Sequence, residues 1–169
     1  MRKNLVLLGM MGVGKSTLAK IVAKKQDLEF VDTDKCIENK FSMKIAEIFK
    51  IKGEKFFRIE EEKEVIKILK KSNCVVALGG GAFINKNIRT NVLKNSFSIW
   101  LDIDLAILNK RIKWNSRRPL LDKNNNKKKI YKLYNERKNI YKMANCKIIC
   151  NNLTKENIAK KIIKLYEKQ

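Results

Sequence analysis

At 169 residues and 44% hydrophobic side chains, the chain is long enough for one domain, 1–169, around a single sizeable core. No apolar run approaches the roughly 18 residues of a membrane span. The net charge of +22 is lysine spread along the whole chain with heavy Asn and Ile usage, not a basic patch interleaved with aromatics. A cytoplasmic protein is expected, with no membrane partner and no specific nucleic-acid partner, only weak adhesion to polyanions at low salt. The chain has no histidine, so any acid–base chemistry falls to a carboxylate. Cys36, Cys74, Cys146 and Cys150 lack metal-ligand spacing and suit a reducing compartment.

Residues 4–8 read as a buried strand that breaks at Gly9, and residues 15–25 as a helix. Between them Gly9-x4-Gly14-Lys15-Ser16 fits the phosphate-loop pattern in the strand-to-helix context that pattern requires. Glycines at 9, 12 and 14 allow positive φ and close backbone approach to phosphate oxygens. Backbone N–H groups and the helix N-terminus aim positive charge at the anion. Lys15 can reach the β- and γ-phosphates, and the Ser16 hydroxyl can ligate Mg²⁺. A chance glycine-rich turn would not also supply the strand, the lysine and the hydroxyl, so a nucleoside triphosphate is the expected ligand. The start MRKNLVLLGMMG has the look of a leader peptide, yet cleavage would destroy this motif.

Residues 29–31 form a short strand closed by Asp32-Thr33-Asp34. On an extended segment two carboxylates at i and i+2 point the same way, as a magnesium-side acid and a substrate-side acid would need. Acidic residues at turns are also common, and that reading stays open. A carboxylate can take the proton of an alcohol acceptor and aim its oxygen, whereas it repels a phosphate acceptor. Helical segments follow through about residue 71, with a break at Gly53. Within them Arg58 and Glu61 stand at i, i+3, so the glutamate can hold the guanidinium. The planar fork suits a carboxylate or phosphate, and an ordinary surface ion pair is an equal reading.

Cys74–Leu78 reads as a strand ending in Gly79-Gly80-Gly81, expected where a ligand approaches backbone too closely for any Cβ, or in a plain flexible turn. A helix over 85–94, a strand over 98–102 and a helix over 104–113 come next. The polar stretch Asn115 to Asn126 holds Arg117-Arg118-Pro119-Leu120-Leu121, placed as a lid arginine would be, or as a solvated basic loop. Arg111, just before it, can stack on a base or touch phosphate. A helix over 127–143 carries Arg137, followed by a strand over 147–150 and a helix over 155–167. Alternating strand and helix implies a parallel sheet covered on both faces, with ligands beyond the carboxyl ends of the strands.

GMMGVGKST, VDTD, IAEIFKIKGEKFFRIEEE, LGGGAF, RRPLL and ERKNIY occur in that order over nearly the whole chain. In that combination the chain resembles the shikimate kinases, small phosphate-loop kinases of the nucleoside-monophosphate-kinase type. The resemblance implies a three-layer α/β fold with a five-stranded parallel sheet in order 2-3-1-4-5. It also implies a helical substrate-binding region at about 33–61 and a lid at about 112–125. The implied reaction is phosphoryl transfer from ATP to the 3-hydroxyl of shikimate with one Mg²⁺ per subunit, on the way to chorismate and aromatic amino acids. A monomer is expected.

By position in the resemblance, Gly12, Val13, Gly14, Lys15, Ser16, Thr17, Arg111 and Arg118 match ATP-binding residues. Ser16 and Asp32 match the metal side, Asp32 through water. Asp34, Lys15 and Arg118 match catalytic residues. Asp34, Arg58, Gly80 and Arg137 match those holding the substrate, the two arginines gripping its carboxylate, and Arg117 is left as an extra. Three departures stand out, one of them a lysine- and asparagine-rich lid tail at Lys123–Lys129. Ser42 and Lys44 occur where the family usually has a glycine and a serine, and Asn151–Thr154 lacks a proline seen in some members. A gluconate-type kinase would share the loop and lid but not the set of Arg58, glycine triplet and Arg137. A nucleoside monophosphate kinase would meet the charge of Asp34. A kinase-like binding protein without catalysis would be expected to lose Lys15, Asp34 or the lid arginine, and all three are present.

Overall fold

A computed structural model describes residues 3–113 and 126–169. Its strands are β1 (Asn4–Leu8), β2 (Glu29–Asp32), β3 (Cys74–Ala77), β4 (Ser96–Asp102) and β5 (Cys146–Ile149). They form one all-parallel sheet in the order β2-β3-β1-β4-β5, as the resemblance implies. All five residues of β1 are buried. A central parallel strand is covered on both faces, which is why it reads as a continuous apolar run and not as an alternation. The chain crosses to β3 on one side of β1 and to β4 on the other, and ligands bind in such sheets at that reversal. The phosphate loop leaves β1 into this crevice.

Among the described residues, seven α-helices flank the sheet: α1 (Lys15–Gln26), α2 (Thr33–Phe41), α3 (Ile45–Leu69), α4 (Lys86–Asn95), α5 (Leu105–Lys113), α6 (Asn126–Tyr141) and α7 (Lys155–Tyr166). α1 packs on α7, and α3 on α4. β4 begins at Ser96, two residues before the expected start, because the polar Ser96 and Ser98 are nonetheless buried in the sheet. The expected break at Gly53 is present inside α3, where the residue has φ 81 and ψ 164. No atom lies within 4 Å of a Cβ built there, so backbone conformation and not space requires glycine.

The break lets the first half of α3 fold back on α2. Ile37, Ile48 and Phe57 form a small core of their own there, packed by Phe41, Phe49 and Phe56 and separate from the main core. That cluster carries Arg58 and Glu61 to the crevice. Ser42 and Lys44, which depart from the family pattern, lie at its hinge. Ser42 ends α2 with φ 51, a left-handed conformation that favours glycine. Lys44 opens α3 with no hydroxyl to accept a helix N–H, and the Glu47 carboxylate instead accepts the Lys44 N–H at 2.7 Å. Ser42→Gly and Lys44→Ser should each raise stability by roughly 1 kcal/mol. Unchanged urea midpoints would show that neither position is under strain.

Candidate active site

On the phosphate side, Gly9, Gly12 and Gly14 all have positive φ (135, 80 and 104), so the loop can curl with its N–H groups inward. Gly14 caps α1, and Lys15, Ser16 and Thr17 form the first turn of that helix. The Lys15 ammonium donates to the Gly9 and Met10 carbonyls at 2.9 and 3.0 Å, lying back across the loop. The Ser16 hydroxyl donates to Asp32 Oδ2 at 2.6 Å. One hydroxyl and one carboxylate, both hard oxygen donors, fit Mg²⁺, which keeps several waters and shares phosphate oxygens with its nucleotide. No cluster of three or more His, Cys, Asp or Glu able to cage a metal exists among the described residues. A cleft of about 280 Å³ continues from the loop, lined by Gly12, Gly14, Thr17, Arg111 and Leu153. Arg111 on α5 and the loop after β5 thus meet beside the phosphate loop.

On the acceptor side, the three glycines after β3 each lie against a different side chain of the site. A Cβ on Gly79 would sit 2.5 Å from Asp34 Oδ1 and 2.9 Å from Glu61 Oε1. A Cβ on Gly81 would meet the Arg58 guanidinium at 2.8 Å. A Cβ on Gly80 would lie 3.4 Å from the Met11 nitrogen of the phosphate loop and 3.9 Å from Arg137 Nη1. At 79 and 81, therefore, the close approach that requires glycine is made by the protein's own charged groups. Thr33, fully buried, ties the strand ends together by accepting the Gly79 N–H at 2.9 Å and donating to the Ala77 carbonyl at 3.4 Å.

Arg58 is strongly committed. Its Nη1 donates to Glu61 at 2.7 Å, and its Nε and Nη2 donate to Glu54 at 3.3 and 3.1 Å. Three of its five N–H groups are used this way, which aims the remaining two. Partial burial opposes the charge of Arg58, but Glu61 and Glu54 together raise its pKa and keep it cationic. Glu61 is only 2% exposed. Burial pushes its carboxyl up, Arg58 opposes that, and the Asp34 charge reinforces it. Arg137, also buried, donates from Nη1 to the Gly80 carbonyl at 3.1 Å.

The expectation that Asp32 and Asp34 point the same way from an extended segment is not met. β2 ends at Asp32, and Asp34 already lies in the first turn of α2. Asp32 Oδ1 accepts the Lys35 N–H at 3.2 Å, and this N-cap turns the chain at Thr33. The two carboxylates diverge as a result, Asp32 toward Ser16 and Asp34 toward Gly79. Arg117 and Arg118 lie outside the described residues.

The family model for shikimate kinase matches residues 11–167. The chain belongs to the shikimate kinase family. It is 42% identical over 163 residues to the shikimate kinase of Bartonella quintana (strain Toulouse), covering 96% of this chain and 78% of that one. It is 42% identical over 161 residues to that of Sulfurihydrogenibium sp. (strain YO3AOP1), covering 95% and 96%. The structure of shikimate kinase from Acinetobacter baumannii in complex with shikimate aligns with TM-score 0.95 at 29% identity, covering 99% and 94%. A gluconokinase from Sinorhizobium meliloti 1021 aligns with TM-score 0.65 at 11% identity, which is likeness of fold alone.

On this chain, sequence reasoning passed over three polar groups that shape the acceptor side. Glu54 looks like one more exposed acid in a charged helix. Thr33 is hidden between two carboxylates that draw the eye. Tyr141 reads as one more residue of a helix, although its spacing of four from Arg137 places both on one face.

Proposed function

We propose that this chain transfers the γ-phosphoryl group of ATP to the 3-hydroxyl of shikimate, forming shikimate 3-phosphate and ADP on the path to chorismate and aromatic amino acids. The observation that carries the reading is the glycine turn after β3, against which Asp34, Arg58 and Arg137 converge from three different helices. Two guanidinium groups suit a carboxylate, and one acid suits an alcohol. A nucleoside monophosphate would bring its phosphate against both Asp34 and Glu61.

This reading gives each site residue a role. Lys15 exchanges the Gly9 and Met10 carbonyls for the β- and γ-phosphates, a short swing on a flexible stem. Asp34 takes the proton of the attacking hydroxyl and aims its oxygen at phosphorus. Arg58 and Arg137 fix the carboxyl end of the substrate, so that the ring presents one hydroxyl to the nucleotide. Ser16 and Asp32 would hold Mg²⁺, which would offset charge on the phosphates. Gly12, Val13, Thr17 and Arg111 complete the nucleotide site. Arg118 enters this reading on the RRPLL motif alone, as a lid arginine that neutralises transferring charge and helps exclude water.

The chain is read as one domain and a cytoplasmic monomer, and no described helix is long and apolar enough to cross a membrane. A coupled ADP-release assay with shikimate, gluconate and nucleoside monophosphates offered in parallel tests the function. Shikimate alone should support turnover, and turnover with another acceptor in its place would overturn the reading. Chelating Mg²⁺ should stop the reaction. Ser16→Ala should raise the Mg²⁺ concentration for half-maximal rate by about tenfold or more, as for a lost contact to a charged group. An unchanged requirement would take Ser16 off the metal.

A further inference from the structure

Gly80 and Gly81 form a soft peptide in the site, since neither residue has a Cβ to restrict its rotation. Something outside the turn has to hold it. The Gly80 carbonyl accepts from two donors at once, Arg137 Nη1 at 3.1 Å and the Tyr141 hydroxyl. A carbonyl oxygen has two lone pairs, and here residues one turn apart on α6 address them.

We propose that Tyr141 is a positioning residue of the acceptor site, which locks the Gly80–Gly81 peptide and through it the orientation of Arg137. The peptide is trans, so fixing the carbonyl also fixes the Gly81 N–H on the opposite side, away from α6. With the carbonyl held by the phenol, Arg137 keeps a single aim and its other N–H groups stay directed toward the substrate. The ring is itself held: it is fully buried, 5.9 Å from the Trp100 ring, with its hydroxyl 4.0 Å from Met10 Sδ in the phosphate loop. Burial pushes the Tyr141 hydroxyl above its ordinary pKa, with Arg137 opposing, so it remains a proton donor under assay conditions.

The inference rests on shikimate being the acceptor, and the test separates the two. Tyr166 supplies a matched control. It is equally buried and donates its hydroxyl to the Lys3 carbonyl at 2.6 Å, beside the amino end of β1 and at the far end of the sheet from the site. Tyr141→Phe should raise the shikimate KM about five- to thirtyfold, as expected for one lost hydrogen bond. It should leave kcat within about threefold and the ATP KM within about twofold. Calorimetry without nucleotide should show the same loss of shikimate affinity. Tyr166→Phe should lower the melting temperature comparably and leave every kinetic constant unchanged.

An unshifted shikimate KM in Y141F, an equal shift in Y166F, or failure of Y141F to fold would each overturn the positioning role. A wild type that turned over some other acceptor would remove the functional reading and this inference with it. A wild type active on shikimate beside an unshifted Y141F would remove only the inference.

Discussion

Asp34→Asn should lower kcat by about 10²- to 10⁴-fold, the usual contribution of a positioned general base, while ATP binding stays within about twofold of wild type. The amide occupies the same space against Gly79, where the Asp34 carboxylate lies 2.5 Å from a built Cβ, so no cavity opens. It still offers a hydrogen bond but cannot take the hydroxyl proton. The variant also carries an internal control for folding. The Asp34 charge helps to push the Glu61 carboxyl up, so removing it eases the burial of Glu61. The melting temperature at neutral pH should therefore match or exceed that of wild type. Near-normal turnover would remove Asp34 from the chemistry, and a marked loss of stability would show that its role is structural.

Arg58→Ala should weaken shikimate binding by about 1.5–3 kcal/mol, or about ten- to 150-fold in KM, with the ATP KM unchanged. It also strands Glu61, which lies 2.7 Å from the guanidinium with its side chain only 3% exposed. Burial already holds the Glu61 carboxyl above its ordinary value of 4.5, and losing Arg58 removes the largest opposing influence. A group whose folded pKa is raised supplies stability below its unfolded pKa and loses it as pH rises through the folded value. The stability deficit of Arg58→Ala should thus be small near about pH 4 and widen toward neutral pH. A deficit that stayed constant with pH would mean that Glu61 does not titrate across this range. An unchanged shikimate KM would refute the role given to Arg58.

The legible parts of this site are those the chain builds locally. Gly9, Gly14, Lys15 and Ser16 fall within one strand-loop-helix unit, so spacing alone reports their geometry. The break at Gly53 was equally visible, since glycine tolerates a positive φ wherever it occurs. Other features needed the folded molecule. The N-cap made by Asp32 turns the chain before Asp34, and no pattern distinguishes that from two more residues of strand. Tyr141 and Gly80 meet across 61 positions of sequence, through a backbone carbonyl that carries no sequence signature.

The amino-acid sequence by itself determined that a triphosphate cradle follows the first strand and that strands alternate with helices. Hydrogen bonding and hydrophobic period within some fifteen residues suffice for both. Tertiary structure alone decided which charged side chain lies on which glycine, and that Arg58 faces the crevice. Those placements depend on how α2, α3 and α6 pack around one turn, and packing between distant elements is set by the whole core at once.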